Sequence, residues 1–81
     1  MNTIVQTELP NGIWISTVVL PVIIGDYAFE TMVFPWKGNY GDLTMRRYDS
    51  LKDAKEGHKQ LCEEYKDIPP FDKEKGYERE F

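Results

Sequence analysis

Two adjacent stretches of this chain carry large apolar side chains on both of their alternating faces, and that property limits the available folds more than any other. Residues 13–20, Ile-Trp-Ile-Ser-Thr-Val-Val-Leu, and residues 27–34, Tyr-Ala-Phe-Glu-Thr-Met-Val-Phe, are dense in β-branched and aromatic side chains. Both predict strands. Successive strand residues point to opposite faces, so Ile13, Ile15, Thr17 and Val19 share one face while Trp14, Ser16, Val18 and Leu20 share the other. In the second run Tyr27, Phe29, Thr31 and Val33 oppose Ala28, Glu30, Met32 and Phe34. All four sets are mainly apolar. A sheet made from them needs cover on two sides.

Only one covering element is legible. Ser50 is placed to cap a helix, with Asp53 three residues later, an acidic variant of the capping box. Leu51, Ala54, His58, Leu61, Cys62 and Tyr65 then recur at spacings of three and four and form one apolar stripe,. Lys52, Lys55, Glu56, Lys59, Glu63 and Lys66 make the solvated remainder. Pro69-Pro70 ends the helix,. A helix of about 16 residues is ~24 Å long and covers one face of a small sheet.

Residues 43–48, Leu-Thr-Met-Arg-Arg-Tyr, read as a third strand after a turn-rich stretch from Pro35 to Asp42. Residues 1–12 read as a lead ending in the turn signal Pro10-Asn11-Gly12,. Pro21 is expected to end the first strand, and Gly25-Asp26 to turn the chain into the second. The fold expected is α+β: a three-stranded antiparallel sheet followed by one amphipathic helix packed on one face, in the order β-β-β-α. It occupies residues 1–68. Residues 69–81 form a proline-started, charged and aromatic tail, expected to be flexible, in which Phe71, Tyr77 and Phe81 are candidates for docking,.

The helix leaves one sheet face without cover, and an exposed patch of that size is uncommon on a soluble monomer. Self-association is the expected remedy, most simply as a two-fold dimer through Trp14, Val18, Leu20, Met32 and Phe34,. The competing remedy is a lid made by the 35–42 loop, with Trp36 and Tyr40 on the face, or by the tail.

Composition narrows the partners. The formal charge of −4 over 81 residues gives no bulk attraction to nucleic acid or to an anionic membrane. The longest apolar run, Val18 to Ile24, is interrupted by Pro21 and is far short of the roughly 20 residues of a membrane span. The N-terminus has no basic segment before an apolar one, so a secretory signal is not expected. One cysteine, Cys62, precludes an internal disulfide and fits a reducing compartment.

No catalytic constellation stands out. His58 and Cys62 lie four apart on the helix, half of a metal site or a thiol beside a base. Without further His or Cys ligands they read better as packing residues, with His58 held by a backbone or carboxylate partner. Glu30 is the one acid inside an apolar strand and needs a partner, for which Arg46 or Arg47 is at hand. Trp36, Tyr40 and Tyr48 with Arg46 and Arg47 form a set able to stack on a nucleotide. Gly57 inside the helix suggests close approach by another backbone or an aromatic ring. No phosphate-cradling glycine motif is present, and no metal or cofactor is expected.

The run Glu30-Thr31-Met32-Val33-Phe34, then Arg47-Tyr48, then Ala54 with Gly57-His58, resembles a family of small proteins encoded by tailed bacteriophages, over about residues 14–65. The Pro35–Asp42 loop is longer than the glycine-rich loops of that pattern, and the segment after Pro70 is peculiar to this chain. The resemblance implies a setting rather than a reaction: an accessory protein in the cytoplasm of an infected bacterium. The expectation that follows is a non-enzymatic protein that binds and inhibits or adapts a bacterial host protein, such as a defence component. Two alternatives remain open. One is an oligomeric sponge for a nucleotide signal, and the other is a metal-assisted hydrolase built on His58, Glu30 and Cys62.

Overall fold

The computed structural model describes residues 2–39 and 41–74. Four strands and a helix follow in chain order: β1 (Thr3–Glu8), β2 (Trp14–Ile24), β3 (Tyr27–Phe34), β4 (Thr44–Tyr48) and α1 (Leu51–Tyr65). The strands form one antiparallel sheet in the order β1-β2-β3-β4. The α+β class and the single helix on one face agree with the sequence. The count of three strands does not.

The additional strand is β1. Its sequence, Thr-Ile-Val-Gln-Thr-Glu, is β-branched but polar enough to read as a lead, because it forms a sheet edge and keeps several side chains in water. Gly12, at φ 88°, closes the turn that returns it to β2, with Gly12 N donating to Leu9 O and Leu9 N to Ile13 O,. The Pro10-Asn11-Gly12 signal was therefore the turn of a hairpin.

β2 also runs past Pro21, where the sequence predicts its end. Pairing with β1 stops at Thr3 opposite Val18, and the β2–β3 register is irregular between Val19 and Ile24. Proline sits where the regular ladder has lapsed, so its missing N–H costs little. Gly25, at φ 60°, turns the chain into β3.

The core lies between α1 and one sheet face. Ile13, Ile15, Thr17, Thr31 and Val33 are fully buried there beneath Ala54, Gly57, His58 and Leu61. Ser50 caps α1 by accepting from Asp53 N at 3.1 Å,. Leu51, expected in the apolar stripe, is exposed; the covered stripe begins one turn later at Ala54. The segment after the helix also departs from expectation: Ile68 and Phe71 pack against the cluster of Leu9, Ile13, Ile15, Val33 and Leu61. The tail thus begins by closing the core, because Phe71 has apolar surface to bury and reaches it just after the prolines. Tyr77 and Phe81 lie outside the described residues. Among the described residues no helix is long and apolar enough to cross a membrane.

Candidate functional site

Cross-strand pairing decides what shares the face opposite the helix, since residues directly paired across a ladder project to the same side. Glu8 pairs with Trp14 and Trp14 with Phe34; Gln6 pairs with Ser16, Ser16 with Met32, and Met32 with Met45. Val18 pairs with Glu30 and Glu30 with Arg47. These three rows make an open face with no element laid over it among the described residues. Trp14, Val18, Met32 and Phe34 are half-buried by one another, and Met45 is exposed. The four sequence-derived residues of the face are therefore brought together. Leu20 is also half-buried, beyond the last regular pair, and Met45 joins the set through β4.

Two polar features frame the face. At one end Arg47 Nε donates to Glu30 Oε2 at 3.0 Å. The Glu30 side chain is 12% exposed, so the pair supplies the partner that a carboxylate among apolar neighbours requires. At the other end Lys37 Nζ stands 4.9 Å from the centre of the Trp14 ring, a cation–π distance. The loop after β3 thus touches one corner of the face. Pro35 is buried and Trp36 half-buried in that loop, while Tyr40 lies outside the described residues.

The helix-covered face holds a polar cluster instead. His58 Nδ1 is 2.8 Å from Thr17 Oγ1, His58 Nε2 is 2.9 Å from Thr7 Oγ1, and Thr17 Oγ1 also bonds Thr31 Oγ1. Both ring nitrogens are occupied by hydroxyls, not by the backbone or carboxylate partner the sequence suggested. Burial lowers the His58 pKa below its ordinary value of 6.5, because a charged imidazole is poorly solvated there. His58 therefore stays neutral at neutral pH and pins α1 to β1 and β2. Part of the signal for this cluster was present in the sequence: Thr17 and Thr31 each stand among apolar residues on their strand face, whereas Thr7 lies on the strand that the sequence reads as a lead.

The two alternative sites do not assemble. Glu30 is on the open face and His58 on the covered one, so the sheet separates the two groups proposed for metal-assisted chemistry. Among the described residues no group of three or more His, Cys, Asp or Glu is placed to hold a metal. The nucleotide set is divided as well. Arg47 lies on the open face, whereas Arg46 Nη2 reaches across the other side to Glu64 Oε1 at 3.0 Å. The Tyr48 ring packs on Gly57, beside a shallow depression rimmed by Asp53 and Glu56, whose charges disfavour a phosphate. Trp36 follows Phe34, and Tyr48 pairs with Phe29, which puts them at opposite ends of β3, roughly 17 Å apart at the rise of an extended strand.

Comparison with protein-family models, with curated proteins and with solved structures gave no match.

Proposed function

We propose that this chain is a non-enzymatic recognition protein, a bacteriophage accessory factor that binds a bacterial host protein through the open face of its sheet. One observation carries the reading: Trp14, Val18, Met32, Phe34 and Met45 form a contiguous apolar surface to which the described chain supplies no cover. The patch has the aromatic, methionine and arginine content enriched at protein interfaces. Its apolar side chains run across β2, β3 and β4, interrupted in the middle row by Ser16, which accepts from Gln6 Nε2 at 3.1 Å, and its ends are polar, with Glu30–Arg47 at one end and Lys37 at the other. That is the layout of a contact with a hydrophobic core and a charged rim.

The bacteriophage setting is supported by the sequence pattern, whose Glu30–Phe34 segment lies within β3 and whose Gly57-His58 lies at the heart of the helix–sheet contact. A photoreactive phenylalanine analogue at Phe34, exposed to bacterial lysate, tests the reading. Irradiation is expected to yield a heterologous adduct that the same analogue at Lys59, on the solvated side of α1, does not give. No adduct other than one with the chain itself would remove host binding.

A further inference from the structure

Resting on that reading, we infer that in the absence of its host partner the protein masks the open face with a second copy of itself. The two sheets pack face to face about a two-fold axis that crosses the strands at the Ser16–Met32 row.

The edges of the sheet direct association to its face. β1 is irregular between Thr3 and Val5, and β4 is a short strand carrying Arg46 and Arg47. A bulge and edge charges both discourage strand addition. At its centre the face carries the uncharged pair Gln6–Ser16, which places neither a bulge nor a charge against a second sheet.

Charge then selects the axis. A two-fold axis across the strands lays β2 and β3 of one copy on β2 and β3 of the other, end over end. Trp14 then faces Val18 of the second copy, Phe34 faces its Glu30, Met32 meets its own counterpart, and Lys37, seated over Trp14, comes beside that Glu30. A two-fold axis along the strands instead keeps like ends together and leaves Glu30 facing Val18, with no charge complementarity. The first arrangement satisfies Glu30 twice, from Arg47 within its chain and from Lys37 across the interface.

Area sets the strength. Four strands about 4.8 Å apart, each contributing about five residues at 3.3 Å, present a plane of only ~300 Å². The β2–β3 hairpin continues past the ends of β1 and β4 with Val22 and Ile23 exposed at 66% and 71%. In the crossed arrangement it overhangs the Trp14 end of the second copy and enlarges the contact. The sum stays near or below the ~800 Å² per partner of a standard interface. The dimer is accordingly a weak, transient one, and a host protein that covers the same face displaces it.

Sedimentation velocity over a wide concentration series decides the matter. Wild type is expected to pass from monomer to dimer. Met32→Lys, which sets two ammonium groups against each other at the axis, is expected to stay monomeric. Lys37→Glu, on an exposed loop outside the core, is expected to weaken the dimer at least tenfold, and Lys52→Glu on α1 to leave it unchanged; an unchanged unfolding midpoint for Lys37→Glu separates the interface from loss of the Trp14 contact. A wild type that remains monomeric throughout, or a dimer indifferent to Lys37→Glu, overturns the inference. Its failure is distinct from failure of the host-binding reading. A monomer that still gives a heterologous adduct at residue 34 removes only the dimer, and a dimer giving no such adduct removes only the host partner.

Discussion

The ring of Tyr48 occupies the space where a side chain on residue 57 would begin: a Cβ built on Gly57 overlaps Tyr48 Cε1, Cζ and Oη. Glycine in mid-helix costs about 1 kcal/mol relative to alanine, so replacing it would ordinarily help. Here Gly57→Ala forces a half-buried ring aside, an overpacking cost of about 1–3 kcal/mol. The substitution is expected to lower the urea midpoint, and to raise it once Tyr48→Ala has removed the ring. Tyr48→Phe will not rescue it, because Cε1 and Cζ remain. Alone, Tyr48→Phe is expected to be neutral or stabilising, since the buried Oη finds no hydrogen-bond partner among the described residues,. A Gly57→Ala protein as stable as wild type contradicts this account of the contact.

Arg46 and Arg47 are neighbours of identical chemistry with unequal consequences. Arg46 and Glu64 are 38% and 53% exposed, whereas Glu30 beneath Arg47 is 12% exposed. Removing a surface partner costs less than about 0.5 kcal/mol. Removing Arg47 strands a largely covered carboxylate, which costs more. Arg47→Ala is expected to lose about 1 kcal/mol beyond Arg46→Ala in chemical denaturation, with Glu30→Gln in the same chain recovering most of the difference. Equal losses would mean that solvent screens Glu30 as well as it screens Glu64.

How far these relationships could be read from the sequence follows from how local they are. The strands at 27–34 and 43–48, the Ser50 cap and the doubly apolar sheet are matters of period and composition, and the structure reproduces them with the later strand beginning one residue on, at Thr44. Gly57 announced a close approach, but naming Tyr48 required the register that pairs Phe29 with Tyr48. β1 was missed because an edge strand keeps polar residues in solvent and so resembles a lead. The assignment of Arg47 rather than Arg46 to Glu30 depends on which side of β4 each residue faces, and a one-residue slip would exchange them. Phe71 was placed in a tail because proline and charge surround it, although one aromatic ring suffices to bring the chain back to the core.

Asn11 shows the same gap between a turn signal and its work. Its Nδ2 donates to Tyr65 O and to Ile68 O, both at 2.8 Å, while its Oδ1 accepts from Ile13 N at 3.1 Å. One amide therefore closes the β1–β2 turn, adds a donor to the last carbonyl of α1, which Ile68 N also reaches at 3.3 Å, and ties down the carbonyl of Ile68 just beyond the helix,. Asn11→Ala is expected to cost about 1–3 kcal/mol. Asn11→Asp keeps the shape but sets a carboxylate against two carbonyl oxygens, and is expected to cost more than alanine. Thermal unfolding of the two variants gives the order directly, and a milder effect of aspartate would reject the donor role.

His58 makes stability depend on pH in a direction fixed by its burial. Its pKa in the folded chain lies below the ordinary 6.5 because burial disfavours the cation,. The unfolded chain therefore takes up the proton first as the solution is acidified. Stability is fully present above about pH 6.5 and declines as pH falls from there toward the folded value, by at most about 1.4 kcal/mol per pH unit. The window from pH 7.5 to 5.5 brackets the ordinary histidine value. Urea midpoints in that window, at one low protein concentration, are expected to fall for wild type and to stay nearly level for His58→Gln. Thr17→Val should lower stability at both ends, because it leaves His58 Nδ1 and the Thr31 hydroxyl without their shared partner,. Parallel pH slopes in wild type and His58→Gln would show that another group sets the dependence.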